Sequence, residues 1–473
     1  MSLLDNFWDQ IDKYSKLGFD PARWISGCSS QVDFTVLRDA LREVRKSTVK
    51  VSHSWFDAFY HIDGKKPELT RRVFRLAEPS VEKEVMVKRA LAVFRVHTDA
   101  GESPQALSEL LQEFLKPFAA KVSATCTSAL LTEHKDAQFA LFDYVELHRG
   151  DKVGYMPAVA AVTDIALVSE DPGSEIHSNI AMTTAIERLN LLGCGSSSTF
   201  KLFPAYDAPT EELLDTFRSN LDAYTSRYNL AMEDYSSLKF GRMYHGTTAM
   251  ATTPKELPTK YDQVEEGMEI IVTNKFGGLP ALSLYMLARM NPENIEKFTK
   301  AGVPFESITL AKDEAAKNLS EPHFALGKII SKYLPDFGMP YDRNSHITAV
   351  YPVGARGIFA IGTLAELCSS QISISKLPMR HEELEKYAAK ESLVQNGTAS
   401  LNGCHLIVAS KEVGSQITDD LRKHNFGPES IGLVAKKGIV SVTFSPELKV
   451  EEFVASKAAF DRLISPSTQQ VAT

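Results

Sequence analysis

Apolar side chains recur along this chain at two spacings, one helical and one alternating, and their succession divides it. Leu4, Phe7, Trp8, Ile11 and Tyr14 share one side of a helical period and predict an amphipathic helix over 3–15. Val36, Leu37, Leu41 and Val44 repeat the pattern after Asp33, a residue type suited to an N-cap. Residues 51–62 are aromatic and β-branched and end at Asp63-Gly64, which predicts a strand and a turn. Residues 65–150 read mostly helical and charged. Their clearest helix starts at Ser103-Pro104 and carries Leu107, Leu110, Leu111, Phe114, Leu115 and Phe118 on one face.

Helices are then expected at 174–193 (Ile176, Ile180, Ala181, Ile186, Leu189), stopped by Gly193, and after Asp207-Ala208-Pro209-Thr210 (Leu213, Leu214, Phe217, Leu221, Tyr224). A strand at 240–247 closes this part. From about residue 256 a second part opens. Its strand at 267–274 runs into Gly277-Gly278, and further strands and helices follow within 351–368, at 400–408 and at 411–424. A hairpin over 431–444 is expected to turn at Lys437-Gly438, and a last helix over 449–463 precedes a polar tail, Ser465-Pro466-Ser467, expected to be disordered. The domains implied are 1–45 (N-terminal helix and Cys28 loop), 46–255 (α/β, with an insertion at about 65–150) and 256–473 (α/β).

Composition narrows the functional classes. The chain has 473 residues, ample for two or three domains with full cores. A net charge of −8 gives no broad basic surface for nucleic acid or an acidic membrane. No apolar run approaches the roughly 20 residues that span a bilayer. The N-terminus lacks the basic start and apolar core of a secretory signal. Five cysteines, at 28, 126, 194, 368 and 404, show neither disulfide nor metal spacing. A reducing cytoplasm is the expected setting.

The candidate chemistry begins at Ser26-Gly27-Cys28-Ser29-Ser30-Gln31-Val32-Asp33. A thiol among small flexible residues, just before a helix, has the setting of a nucleophile with a lowered pKa; a small buried hydrophobe is the alternative. With Val36-Leu37 after it, this stretch resembles the N-terminal motif of selenophosphate synthetases, members of the aminoimidazole ribonucleotide synthase superfamily. In that family a reactive cysteine or selenocysteine is followed three residues later by a lysine, so the resemblance makes Cys28 and Gln31 the catalytic pair, with Gln31 in the lysine place.

The resemblance continues through both parts, over roughly 20–64 and 155–445. Asp57-Ala58 and Thr163-Asp164 match the family's magnesium-binding strands, so Asp57 and Asp164 become the metal ligands. Ala181-Met182-Thr183-Thr184-Ala185-Ile186 matches an alanine-rich helix that ends in a metal-binding aspartate; here that place holds Arg188, which either repels the metal or itself holds a phosphate. Leu230-Ala231-Met232-Glu233-Asp234 stands where the family has Gly-Gly-His, and Val353-Gly354 where it has Thr-Asp. Asn274-Lys275-Phe276-Gly277-Gly278 matches the segment entering the C-terminal domain. Val353-Gly354-Ala355-Arg356-Gly357 matches a glycine-rich loop.

The resemblance implies an α/β (α+β) fold of two domains of the aminoimidazole ribonucleotide synthase type, with a helical insertion in the first. It implies a homodimer built on a shared barrel, with ATP between the domains and Mg²⁺ at its phosphates. The nucleotide would be met by Arg188, Asn274, Lys275, Gly277, Gly278 and Arg356. The activity implied is ATP-dependent phosphoryl transfer to selenide or a related small nucleophile. The four replacements keep a second reading open, that of a paralogue which binds nucleotide or a partner without making selenophosphate.

Overall fold

The computed structural model describes Lys13 and Lys16, residues 144–149 and 152–162, and, with short breaks, 171–234 and 244–464. The expected elements before residue 144, apart from Lys13 and Lys16, lie outside the described residues, as do the polar tail and most of the 65–150 insertion. Lys13, within the first expected helix, is helical and exposed, as is Lys16.

The described chain folds as an α/β structure of two sheets, one in each part. The first part contains β1 (Tyr144–Arg149), β2 (Lys152–Val162), α1 (Glu175–Leu191), β3 (Phe200–Asp207), α2 (Glu211–Tyr228), β4 (Ala231–Met232) and β5 (Tyr244–Ala251). Its five strands are ordered β1-β2-β5-β3-β4, antiparallel except for the β3/β4 pair. The second part contains β6 (Glu269–Val272), α3 (Pro280–Met290), α4 (Pro292–Lys300), α5 (Phe305–Ser320), α6 (Phe324–Lys332), β7 (Ala349–Pro352), α7 (Phe359–Leu367) and β8 (Ser370–Ile374). It continues through α8 (Glu382–Lys390), β9 (His405–Ala409), α9 (Lys411–Lys423), β10 (Glu429–Lys437), β11 (Ser441–Phe444) and α10 (Lys457–Ile464). Its six strands run β11-β8-β10-β6-β9-β7.

Burial on both faces explains why the central strands of the second sheet are continuously apolar rather than alternating. In β6, Ile270 and Val272 enter a core with Leu406, Val408, Ile361 and Leu364, whereas Ile271 enters another with Ile407, Leu326, Ile330, Ile417 and Leu421. Neighbouring residues point to opposite faces, and helices cover each face.

Helix α1 joins the two parts. Twelve of its 17 residues are buried, so its sequence shows no clean polar stripe. Met182, Ile186 and Leu189 pack with Phe200, Leu202 and Phe217 of the first sheet and α2. Ile180 meets Leu282, Ala315 and Leu319 of α3 and α5, and Leu191 enters the core of the second sheet. The backbone leaving α1 then closes on α6. A Cβ on Gly327 would stand 2.5 Å from the Cys194 carbonyl oxygen, and one on Gly195 would stand 2.2 Å from the Lys328 nitrogen. Neither position has room for a side chain.

Several expectations are corrected. The 431–444 region is not a hairpin: β10 pairs antiparallel with β6 and β8, and β11 pairs parallel with β8, which lies between them. A strand from 60 residues earlier in the chain takes the place a local partner would have. The end of the 65–150 stretch is strand, since β1 pairs along its length with β2. The strand expected at 240–247 is β5, running Tyr244–Ala251 and pairing on both sides. The helix expected over 449–463 is broken into a 3-10 turn, Val450–Phe453, and α10, with Lys449 in the left-handed region at φ 44°. The helices α3 to α6 were not foreseen.

Gly327→Ala separates two effects. In an exposed helix the change would stabilise by about 1 kcal/mol. Here the added methyl meets the Cys194 carbonyl, and overpacking of this kind costs roughly 1–3 kcal/mol, so a net loss is expected in urea unfolding. A gain in stability would contradict the close approach.

Candidate active site at the junction of the two parts

Two consecutive residues of α1, Glu187 and Arg188, face the second part. Glu187 is only 1% exposed. Its Oε1 accepts from the backbone N–H of His323 at 2.7 Å and lies 2.8 Å from His323 Nδ1. His323 is the residue just before α6, so the carboxylate also sits at that helix's positive end. On the other side, Glu187 Oε2 lies 3.6 Å from Nε2 of buried His405, the first residue of β9. That separation is too long for a hydrogen bond, and it is an ion pair only when His405 is protonated.

The charges follow from these contacts. Burial pushes the Glu187 carboxyl up, but His323 and then His405 outweigh it and hold the group well below the usual carboxylate range. Burial pushes His323 down, yet Glu187 lifts it above the ordinary histidine value. Burial pushes His405 down and prevails, with Arg188 and His323 adding to the effect against Glu187. At neutral pH the triad holds one carboxylate, a histidine biased toward imidazolium and a neutral histidine.

Arg188 projects toward the loop after β7. A Cβ on Gly354 would lie 3.4 Å from Arg188 Nη2. Gly354 opens a short 3-10 turn, Gly354–Arg356, in which Arg356 stacks on the Tyr351 ring (4.7 Å to its centre) and donates to the Tyr351 hydroxyl. The segment 396–400 clasps this loop from behind. Asn396 Nδ2 donates to the Arg356 carbonyl at 2.7 Å, Thr398 Oγ1 accepts from the Ile358 N–H at 2.9 Å, and the Ser400 N–H donates to the Gly354 carbonyl at 2.8 Å.

The same segment binds the other glycine loop. Gly277 and Gly278 adopt φ of 86° and 103°. The Gly277 N–H donates to the Thr398 carbonyl and to Ser400 Oγ, and the Gly278 N–H donates to Glu385 Oε1 at 2.6 Å. Both amide donors are therefore taken up within the protein, one by the clasp and one by Glu385. Before the pair, Asn274 Oδ1 accepts from the Lys275 N–H at 2.9 Å, and Lys275 is exposed. Glu385, on α8, is fully buried. Burial drives its carboxyl well above the usual range against the pull of Gly278 and Arg380.

Of the expected site residues, the structure gathers Arg188, Gly277, Gly278 and Arg356 around the 396–400 clasp and α1, with Asn274 and Lys275 leading into it. Cys28, Gln31, Asp57 and Asp164 lie outside the described residues. Glu233 and Asp234 belong to the first sheet's edge: Glu233 pairs with Lys201, and Asp234 accepts from the Tyr206 hydroxyl. The buried thiols Cys368 and Cys404 are pushed up to about 12 and Cys194 higher still, so none of these three is a ready nucleophile. Among the described residues no group of three or more His, Cys, Asp or Glu could hold a metal ion.

Glu187, His323, Glu385 and the clasp were not singled out from sequence. A glutamate inside a helix looks like a solvated position, and Asn396-Gly397-Thr398-Ala399-Ser400 looks like any turn.

No protein-family model matches the chain, and no curated protein matches it. Among solved structures it is similar to thiamine-monophosphate kinase from Stenotrophomonas maltophilia (14% identity, covering 68% of this chain and 95% of that one, TM-score 0.43). It is similar also to thiamine monophosphate kinase from Aquifex aeolicus (14%, 63% and 90%, TM-score 0.42). A third is hydrogenase maturation protein HypE in complex with ATP (11%, 64% and 84%, TM-score 0.44). Among the described residues no helix is long and apolar enough to cross a membrane.

Glu385 gives a signed pH test. A carboxyl neutral when folded and ionised when unfolded costs stability increasingly as pH rises above its unfolded value of about 4.3. Glu385→Gln keeps an acceptor for Gly278 and removes that titration. Its stability relative to wild type should therefore rise with pH, by at most about 1.4 kcal/mol per unit. Glu385→Ala should cost about 1–3 kcal/mol by stranding the Gly278 N–H. A wild-type-to-Gln difference that is flat in pH would contradict a neutral Glu385.

Proposed function

We propose that the chain binds ATP between its two parts and transfers phosphoryl groups to selenide or a related small nucleophile. It would do so as a selenophosphate synthetase-like homodimer in the cytoplasm. The observation that carries the reading is Arg188 set against Gly354, two residues before Arg356, where α1 of one part meets a glycine turn of the other. Guanidinium groups suit a polyphosphate because their planar donors match its oxygens two at a time. Phosphoryl transfer needs mainly positioning and charge neutralisation. Arg188, Arg356 and exposed Lys275 are of the right chemistry for both.

Mg²⁺, when bound, would offset phosphate charge, and Asp57 and Asp164 are the residues proposed to hold it. Glu187 is not a candidate ligand, since its carboxylate is taken by two histidines. Cys28 would handle the chalcogen. A second reading, nucleotide or partner binding without catalysis, is favoured by the commitment of the Gly277 amide to the clasp and of the Gly278 amide to Glu385.

Saturating Mg-ATP should stabilise the protein by about 2.7 kcal/mol at a hundredfold excess over its Kd, read as a rise in melting temperature. Arg188→Ala should weaken binding about tenfold or more. With selenide or sulfide present, AMP and phosphate should form with wild type and not with Cys28→Ala. Nucleotide binding without turnover selects the second reading. No thermal shift with ATP overturns both nucleotide readings.

A further inference from the structure

We propose that Glu187, His323 and His405 form a proton-operated latch between the two parts, one that seats the adjacent Arg188 against the Gly354 loop. The seating role rests on the nucleotide reading above; the latch itself does not. The geometry has three components. Glu187 is the residue of α1 that reaches two separate elements of the second part, the start of α6 and the start of β9; the carboxylate and His405 are buried and His323 is half-buried. Arg188 follows it on the same helix, so whatever fixes the rotation of α1 at Glu187 also fixes where the Arg188 side chain leaves the helix. The contact with His405 is half-made: Glu187 Oε2 and both His405 ring nitrogens are buried without a hydrogen-bond partner among the described residues. A buried polar group in that condition is costly, and a proton or a closer partner would relieve it.

The surroundings are charged from every side. Arg188 and Asn190 come from α1, and Tyr224, tied to Thr183 at 2.7 Å, comes from α2. Asn318 of α5 lies 3.3 Å from His323 Nε2, and Glu321 and Arg380 also act on that ring. In this setting the two histidines titrate in opposite senses. His323 is raised, so its contribution is complete below the free-histidine value of about 6.5 and is lost as pH rises through its folded value. His405 is lowered, so its contribution is present above about 6.5 and is lost as pH falls through its folded value. Loss of the first proton leaves a buried carboxylate with no counter-charge in the triad. Gain of the second sets another cation against Arg188 and His323. The latch therefore holds best between the two.

The test is the melting temperature of the full-length protein from about pH 5 to about pH 9, together with Mg-ATP affinity by calorimetry at the same pH values. Wild type should give a bell in stability. His323→Gln should flatten its alkaline side and His405→Gln its acid side. Glu187→Gln should lower the melting temperature by roughly 10 °C and remove the alkaline side. If that variant does not fold, the two histidine variants decide. Mg-ATP affinity should follow the same bell and fall about tenfold in Glu187→Gln. A flat wild-type profile, or histidine variants that keep both sides of the bell, overturns the latch. A bell in stability with ATP affinity constant in pH overturns the seating of Arg188. A bell with no ATP binding at all supports the latch and removes the nucleotide reading instead.

Discussion

A carboxylate carried on a helix buried from both sides is the constraint on which the rest of this structure turns. Glu187 cannot be left alone in the interior; an isolated buried charge would neutralise or open the junction. His323 and His405 answer it from the second part, and their answer fixes how α1 lies across the two sheets. Apolar contact through Ile180 and Leu191 supplies non-directional attraction at this junction. Against such contact alone, α1 could rotate or slide. The ionic contact admits one rotation, and the glycine pair 195 and 327 admits one depth.

The second part is organised differently. Its sheet is sealed by helices on both faces, and its loops are held by hydrogen bonds from the 396–400 segment rather than by apolar packing. Asn396, Thr398 and Ser400 together bind the turn after β7 and the glycine pair after β6. A neutral buried carboxyl at Glu385 completes that scaffold with an acceptor that carries no charge into the core. The clasp itself, Asn396, Thr398 and Ser400, carries no charged side chain.

Periodicity made the elements near the junction legible. The helix expected over 174–193 is α1, and Thr210 caps α2 by accepting from the Leu213 N–H, as an N-cap residue should. The strand expected at 400–408 is β9, which His405 opens. What could not be read was partnership over distance. β10 and β11 are separated by three residues and look like a hairpin, yet β8 comes between them, because pairing in a sheet depends on burial and not on proximity in the chain. Arg188 drew notice from the family pattern, as a cation where an acid is usual. Glu187 drew none, because nothing within its own helix distinguishes a glutamate facing solvent from one facing two histidines across the junction.

The 396–400 clasp has a mechanical consequence. Since five residues fasten both glycine turns, neither turn can travel without dragging the other, and the pair behaves as one jaw. On the nucleotide reading proposed above, motion that admits or releases the nucleotide would then occur between this jaw and α1. The freedom of the site is a hinge problem, not a loop problem.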